Sequence, residues 1–599
     1  MSNSIDGNRR RFIVNTTTTV AVAALGGSLA ACSNSDSVSF SSSPSFAYGV
    51  ASGDPLADRV ILWTYAKYPD GNANVPLTWQ IATDNAFANI VATGRVEATE
   101  AAGFTAKVDA TGLAAGTGYF YRFLGNLGAV STVGTTRTLP ATGVTSLKFA
   151  VFSCTLYSEG FFNAYDAAAK SDAQFAIHLG DYIYEYGAGA TQFGNKDAVQ
   201  LGRVAVPATD IVTLADYRAR YALYRSDSNL QALHAKMPWI TVWDDHEFAD
   251  NSYVGGAENH NPTTQGDWNT RKNIAARVYH EWLPIRAPDP NNLLKIYRSF
   301  DFGNLFSLHM IDTRIEGRDR QYDNFGDADG GVTRYVAGLT PNASGVPPDA
   351  SRRMMSLDQQ NWLTGRIASS NTAWQFVGNQ DIMARMWLPL SVAQFFSGTT
   401  ANPTLGAAAI QTYLTAKATR AIAGAVALTP TQADLLNPAK NPRLPYNLDS
   451  WDGYPIQRET ILQTIMAQGK KLVVLSGDSH NGWFTNLTTL AGEKVGVEFA
   501  GSSVTAPGFE SVGLGGLAAS LDGSALVPQL GNAAIGASLG LIDDVNYSDT
   551  IRRGFLMMTV TAGSVKGEYV YVSTVKSTTY STSIGRSITV PASGAITYA

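Results

Sequence analysis

Cysteine is nearly absent: Cys32 and Cys154 are the two in 599 residues. A disulfide framework is therefore excluded, because only one pairing could form. Charge is also sparse, with Asp, Glu, Lys and Arg making up 16% of the chain against a usual share of about 25%. The 44 basic residues are outnumbered by 49 acidic ones, giving a net charge of −5. No global positive field exists to displace counterions, so nucleic-acid binding is not expected as a primary function. Beyond the first 32 residues no uncharged apolar run is long enough to cross a bilayer. What is present is bulk. The hydrophobic share is 45%, which excludes a disordered or collagenous chain. The length suits about two to four domains, or one large domain with insertions.

Residues 1–32 read as an address. Asn8-Arg9-Arg10-Arg11-Phe12-Ile13 leads into an uncharged run ending at Ala31, which resembles a twin-arginine export signal. A single membrane-spanning helix is the competing reading, but four consecutive threonines and paired glycines make the run weakly apolar. Leu29-Ala30-Ala31-Cys32 resembles a lipobox, which implies a lipid on Cys32 and attachment to a membrane in the periplasm or at the cell surface. The twin-arginine machinery is then an expected partner. A Ser-rich stretch, residues 33–45, follows as a flexible tether.

Residues 46–142 show short alternating runs such as Arg59–Tyr65, Leu77–Thr83 and Tyr119–Leu124 between Gly, Pro, Asp and Asn, as expected of a small antiparallel β-sandwich. The segment Leu113–Tyr119 resembles a fibronectin type III corner, in which a tyrosine near a strand start bonds back to the chain. From residue 147 to 599 the pattern changes. Continuous apolar runs (Leu147–Ser153, Gln174–Leu179, Trp239–Trp243, Leu305–Ile311, Trp374–Val377, Lys471–Leu475) alternate with helical segments such as Leu214–Tyr224, Lys272–Trp282 and Leu357–Ile367. That alternation predicts an α/β domain around a buried sheet, with strands again from Phe555 to the end. Residues 383–448 read as a long Ala-rich insertion forming a lid or a substrate wall, which Trp387, Phe395, Phe396 and Trp451 could line.

Ligands of α/β sheets bind at the carboxyl ends of strands, and here those ends carry the chemistry. They read Ser153-Cys154, Gly180-Asp181-Tyr182-Ile183-Tyr184, Trp243-Asp244-Asp245-His246-Glu247 with Asn251, Asp312-Thr313-Arg314, Gly378-Asn379-Gln380 and Ser476-Gly477-Asp478-Ser479-His480. The order resembles the calcineurin-like metallophosphatases, with departures: Cys154 occupies the first block, Tyr184 replaces the second Asp of G-D-x-x-D, and Asp478 replaces the first His of the last block. Those departures match a narrower family, the alkaline phosphatase D (PhoD-like) phosphatases. A thiolate, a phenolate, carboxylates and one imidazole suit a trivalent iron beside harder ions, since Zn²⁺ takes more His or Cys and oxygen ligands favour Ca²⁺ or Mg²⁺.

The resemblance implies a metallophosphatase-type α/β sandwich holding Fe³⁺ and Ca²⁺. Cys154, Asp181, Tyr184 and His480 would hold the iron, with Asp181 bridging to calcium. Asp244 or Asp245, Asn251 and Asp478 would complete the calcium side. Adjacent residues beyond a strand can face opposite ways, so the choice between Asp244 and Asp245 stays open. His246 is a phosphate-contacting residue or general acid in this reading. Arg314 either binds phosphate through its fork or is a strand-end charge. Asn379 is a weaker candidate ligand, and the remaining five histidines read as structural. The implied activity is hydrolysis of phosphate esters at alkaline pH, monoesters by default. Diester or phospholipase D-like hydrolysis, or a non-catalytic lipoprotein binding phosphate or calcium, are the alternatives. A serine esterase is disfavoured because no G-x-S-x-G elbow is present.

Overall fold

The computed structural model describes residues 42–322, 347–395, 402–524 and 539–599, with Tyr335, Gly338 and Leu339. The export signal, Cys32, most of the tether and Phe396 lie outside the described residues. Among the described residues no helix is long and apolar enough to cross a membrane.

Runs read from the sequence as buried strands are strands: Ser146–Phe152, Phe175–His178, Trp239–Thr241, Phe306–Met310, Trp374–Gly378 and Leu472–Ser476. They are continuous rather than alternating in polarity because both faces are covered, as in parallel sheets generally. The first three pair in parallel within a ten-stranded sheet. The other three pair in parallel within a seven-stranded sheet that continues through Lys494–Ala500. The two sheets face each other across one core, where Phe149 meets Phe306 and Phe376 at ring-centroid distances of 5.5 and 5.9 Å. Helices Leu214–Arg225, Trp268–Trp282 and Leu357–Ser369 cover the outer layers. The carboxyl ends of all the parallel strands therefore open on one rim of an α/β sandwich, the fold class expected.

The C-terminal strands Arg553–Thr561, Ser564–Val572 and Thr582–Pro591 extend the ten-stranded sheet beside Ser146–Phe152. On its other side the N-terminal region joins the same sheet. Val50–Gly53 runs parallel to Trp239–Thr241 and is followed by Arg59–Tyr65 and Thr105–Thr111. The second layer of the N-terminal sandwich is a separate sheet, ordered Ile90–Ala98, Val75–Ala82, Gly118–Leu124, Gly134–Arg137. The sandwich is thus built onto the main sheet edge instead of standing apart, which caps an edge that would otherwise present unpaired backbone. The tyrosine corner is formed as expected: the Tyr119 hydroxyl accepts the Ala114 N–H at 2.9 Å.

The insertion contains the helix Pro403–Ala423 and a ribbon pairing Trp387–Pro389 with Arg443–Pro445. Trp451 does not line a lid. It is fully buried and donates its indole N–H to the Asn379 side-chain oxygen at 3.1 Å.

Candidate metal centre

Two glycines let the loops at the rim converge. A side chain on Gly180 would meet Asp244 Cβ at 2.3 Å, and one on Gly477 would meet Ser153 Cβ at 2.6 Å. Each glycine precedes a candidate ligand, Asp181 or Asp478. Beyond these approaches the backbone is strained. Nine non-glycine residues have positive φ among the described residues, and five of them are Cys154, Asp181, Asn251, Asp478 and His480. Left-handed backbone at ordinary residues costs energy and concentrates where function holds a side chain in place.

The loops bring the candidates together. The ligand atoms of Cys154, Asp181 and His480 lie within 4.8 Å of one another, as do those of Asp181, Asp245 and His246, and those of Asp244, Asp245 and Asp478. Asp181 belongs to the first two groupings, as a bridging ligand must. The Tyr184 hydroxyl donates to Asp181 Oδ2 at 2.9 Å and lies 3.1 Å from His480 Nε2, completing the iron-type set of thiol, phenol, carboxyl and imidazole. Asp478, His480 and Asn251 are half-buried and form the open side, while Cys154, Asp181, Tyr184, Asp244 and Asp245 are buried.

Both members of the Asp244–Asp245 pair point inward. The strand before them ends at Thr241, so the alternation of a strand no longer applies at 244 and 245. Asn251 is tied to this pair. Its amide group donates to Glu258 Oε2 at 2.8 Å, and its backbone N–H donates to Asp245 Oδ2 at 2.6 Å, so its clearest contribution is to fix Asp245. Arg314 departs from the fork reading. Its guanidinium is fully buried and its fork is taken by carboxylates: Nε to Asp244 at 2.5 Å, Nη1 to Asp449 at 2.9 Å, and Nη2 to Asp478 at 2.9 Å and Asp381 at 3.1 Å. It acts as an internal counter-charge, not as a free phosphate fork. Asn379 and Gln380 tie strand ends together, Asn379 to Ser476 at 3.1 Å and Gln380 to the carbonyls of Trp243 and Ile311, both at 2.8 Å.

Several contributors had no role assigned from sequence. Glu247 accepts the backbone N–H groups of Asp181 (3.0 Å), Tyr182 (2.6 Å) and Asp244 (2.8 Å), pinning two ligand loops to one carboxylate. Glu185 Oε2 lies 2.7 Å from His246 Nδ1, and His246 packs on the Tyr184 ring at 4.1 Å. Glu247 closes a motif already singled out and Glu185 directly follows one, so their positions were the available signal. Asp381 and Asp449 form a further grouping with Asp478, and nothing in the surrounding sequence marks Asp449. His178, read as structural, accepts the Gly180 N–H through Nδ1 at 3.3 Å while Nε2 meets the Tyr165 hydroxyl at 3.0 Å, which steadies the Asp181 turn.

Charge follows this geometry. Burial raises the carboxyl pKa values of Asp181, Asp244 and Asp478, and neighbouring carboxylates add to the shift. Burial also raises the Cys154 thiol and the Tyr184 phenol, with Asp181 adding to both, and lowers His480 to about 3. Asp245 is held below the usual carboxylate range because Arg314 and His246 outweigh its burial. His246 is raised despite burial, by Asp245, Glu185 and Asp181. Asp244 Oδ2 and Asp245 Oδ1 are buried with no hydrogen-bond partner. Buried, partnerless carboxylate oxygens beside a thiol and a phenol are costly unless a cation meets them, so this donor set fits metal ions.

Comparison with known proteins agrees with the geometry. The PhoD-like phosphatase family matches residues 149–569, and its N-terminal domain matches residues 31–140. Alkaline phosphatase D of Bacillus subtilis (strain 168) is 34% identical over 485 residues, covering 78% of this chain and 70% of that protein. A solved structure of PhoD superposes with a TM-score of 0.69 at 30% identity, covering 92% of this chain and 91% of the other. The chain therefore belongs to the PhoD-like phosphatase family, enzymes that hydrolyse phosphate esters.

Proposed function

We propose that the protein is an exported alkaline phosphatase, dependent on Fe³⁺ and Ca²⁺, that hydrolyses phosphomonoesters and accepts phosphodiesters. The observation that carries this reading is the pair of adjoining ligand groupings, Cys154, Asp181 and His480 with the Tyr184 hydroxyl, and Asp244, Asp245 and Asp478, in which the buried Asp244 Oδ2 and Asp245 Oδ1 make no hydrogen bond. In this reading Cys154, Asp181, Tyr184 and His480 hold iron, and Asp181 is shared with a calcium side formed by Asp244, Asp245 and Asp478 beside Asn251. Bound there, the ions supply Lewis acidity, drawing charge from the phosphoryl group and from the attacking water.

The chain's own groups do the rest. Glu247 and Arg314 hold the loops and carboxylates in register before substrate arrives, so little reorganisation is needed during reaction. His246 gives its Nδ1 to Glu185, which leaves Nε2 to deliver a proton to the leaving oxygen. Export through the twin-arginine route and a lipid on Cys32 would place this site on a membrane surface in the periplasm or at the cell surface. The Arg9-Arg10 pair and Leu29–Cys32 support that part of the reading.

The direct test is hydrolysis of a chromogenic phosphomonoester and its matching diester at alkaline pH. The protein should be matured in a host with a working twin-arginine pathway and assayed with Ca²⁺ present and after chelation. Loss of activity on chelation, with iron and calcium found by elemental analysis, is the expected result. Stoichiometric zinc without iron would overturn the metal assignment. Replacing Cys32 with Ser should release soluble protein or leave unprocessed precursor, and unchanged membrane retention and processing would remove the lipid anchor.

A further inference from the structure

An apolar hollow adjoins the loop that carries Asp478 and His480. Its volume is about 150 Å³, and its walls include Leu388, Tyr446, Trp483, Phe509, Leu517 and Leu541. Two of these walls are bonded to the neighbours of His480: Trp483 Nε1 donates to Ser479 Oγ at 2.9 Å, and the Phe509 N–H donates to Asn481 Oδ1 at 3.3 Å. His480 itself donates through Nδ1 to the carbonyl of Pro507 at 2.7 Å, two residues before Phe509. Tyr446 and Trp483 meet the Phe509 ring edge-on, each at 6.0 Å. Asp478 lies near enough to Tyr446 to help raise its phenol, after burial. The hollow and the ligand loop are thus parts of one construction.

Phosphate gains nothing from such a surface. A cavity of about this volume lined by aliphatic and aromatic side chains stays dry and accepts a benzene-sized molecule. The insertion contributes Leu388 and Tyr446, and the segment after His480 contributes Trp483 and Phe509, so the hollow is placed for a substituent whose phosphoryl group sits at the metal centre. We propose that it is the subsite for the apolar arm of a phosphate diester, an aryl ring or a short alkyl chain that stays on phosphorus while the other alcohol leaves. This rests on the phosphoesterase reading above and deepens it.

The test is a series of alkyl 4-nitrophenyl phosphates, from methyl through ethyl, propyl and butyl, with the metal-loaded full-length protein. Water adds to phosphorus and gives up one proton, nitrophenolate departs with its P–O bond electrons and can take that proton, and the alkyl phosphate remains, so the leaving group is constant and only the arm changes. kcat/KM should rise by roughly fourfold per added methylene until the hollow is full. Leu517→Asn should collapse the butyl-to-methyl ratio towards one, whereas Val426→Asn, on a side chain 97% exposed in the insertion, should leave it as in the parent. Calorimetry with butylphosphonate against methylphosphonate gives a second measurement that needs no variant and no turnover, and the butyl compound should bind more tightly. A flat series with measurable hydrolysis of the methyl ester overturns the subsite, as happens if another part of the chain fills the hollow. A ratio unmoved by Leu517→Asn overturns its location. No hydrolysis of any ester defeats the phosphoesterase reading instead, and the phosphonate comparison then still decides the hollow.

Discussion

The two sides of the centre balance their charge differently. On one side Cys154, Asp181 and Tyr184 are buried beside His480, and among the described residues no Lys or Arg forms an ion pair with their side chains. On the other, Asp244, Asp381, Asp449 and Asp478 surround the buried Arg314, and Arg318 joins Asp449 and Asp381. The first side carries ionisable ligands whose neighbouring cation is His246, and a bound ion would supply the remaining counter-charge. The second carries its own cation, and an ion there competes with a guanidinium already in place. On the proposed reading, the thiol–phenol side would be the tight ion site and the arginine side the exchangeable one.

Asp181→Asn tests this comparison most severely. Its carboxylate is common to the Cys154–His480 and Asp245–His246 groupings, so the substitution should empty or distort both sides and abolish hydrolysis. Elemental analysis and turnover of the purified variant check it, and retention of both metals with full activity would put the centre elsewhere. His246→Ala comes next. It removes a side chain held by Glu185 without removing a proposed ligand, so metal content should be retained while kcat falls by about 10²–10⁴-fold. Tyr184→Phe should bleach the charge-transfer colour of an Fe³⁺ phenolate, and an unchanged spectrum would remove the phenol from the iron.

The pH dependence of the metal-free protein separates the sides further. Asp181, Asp244 and Asp478 have raised folded-state pKa values, so the folded protein keeps protons that the unfolded chain releases above about pH 4. Their contribution to stability is complete below that pH and is lost as pH rises through the folded values. Thermal melts of chelated protein should therefore show Tm falling from mild acid towards neutrality, a slope that Asp244→Asn reduces and that added ions reverse. Asp245, held low by Arg314 and His246, works in the opposite sense but only below about pH 4, where its stabilising charge is lost on acidification, so Asp245→Asn should flatten the acid limb and leave the fall from mild acid to neutrality no steeper. A metal-free Tm that climbs steadily with pH in all three proteins would contradict the assigned charge states.

Much of this arrangement was legible in the sequence because it depends on local pattern. Phe175–Ile177 and Leu472–Leu475 are apolar throughout, since both faces of each strand are covered, and Asp181 and Asp478 follow glycines that only close-packed loops require. The remainder depends on pairings distant in the chain. Nothing local to Gly53 announces that it will register with Trp239, so the joining of the N-terminal sandwich to the main sheet was not legible. Arg314 read either as a phosphate fork or as a strand-end charge because its carboxylate partners come from distant loops, at 244, 245, 381, 449 and 478. Glu247 stood in a recognised motif, but its work is done on backbone N–H groups, which leave no signature in residue identity.

The smallest expected effect is also the one that addresses the arginine side alone. Asp449 is 13% exposed at its side chain and pairs with both Arg314 and Arg318, but it lies outside the groupings that contain Cys154 or Asp181. Asp449→Asn removes one acceptor from Arg314 and leaves the guanidinium with Asp244, Asp381 and Asp478. The arginine then holds those carboxylates more firmly against an incoming ion. Exposed or partly exposed ion pairs contribute little, so Ca²⁺ affinity should weaken by roughly two- to fivefold, while iron content and the phenolate colour stay at the parent level. Calcium titration of activity, read beside the visible spectrum of the same sample, measures both sides at once. If the spectrum changed along with the calcium response, the two sides would be one electrostatic unit, and the division between a tight and an exchangeable ion would fail.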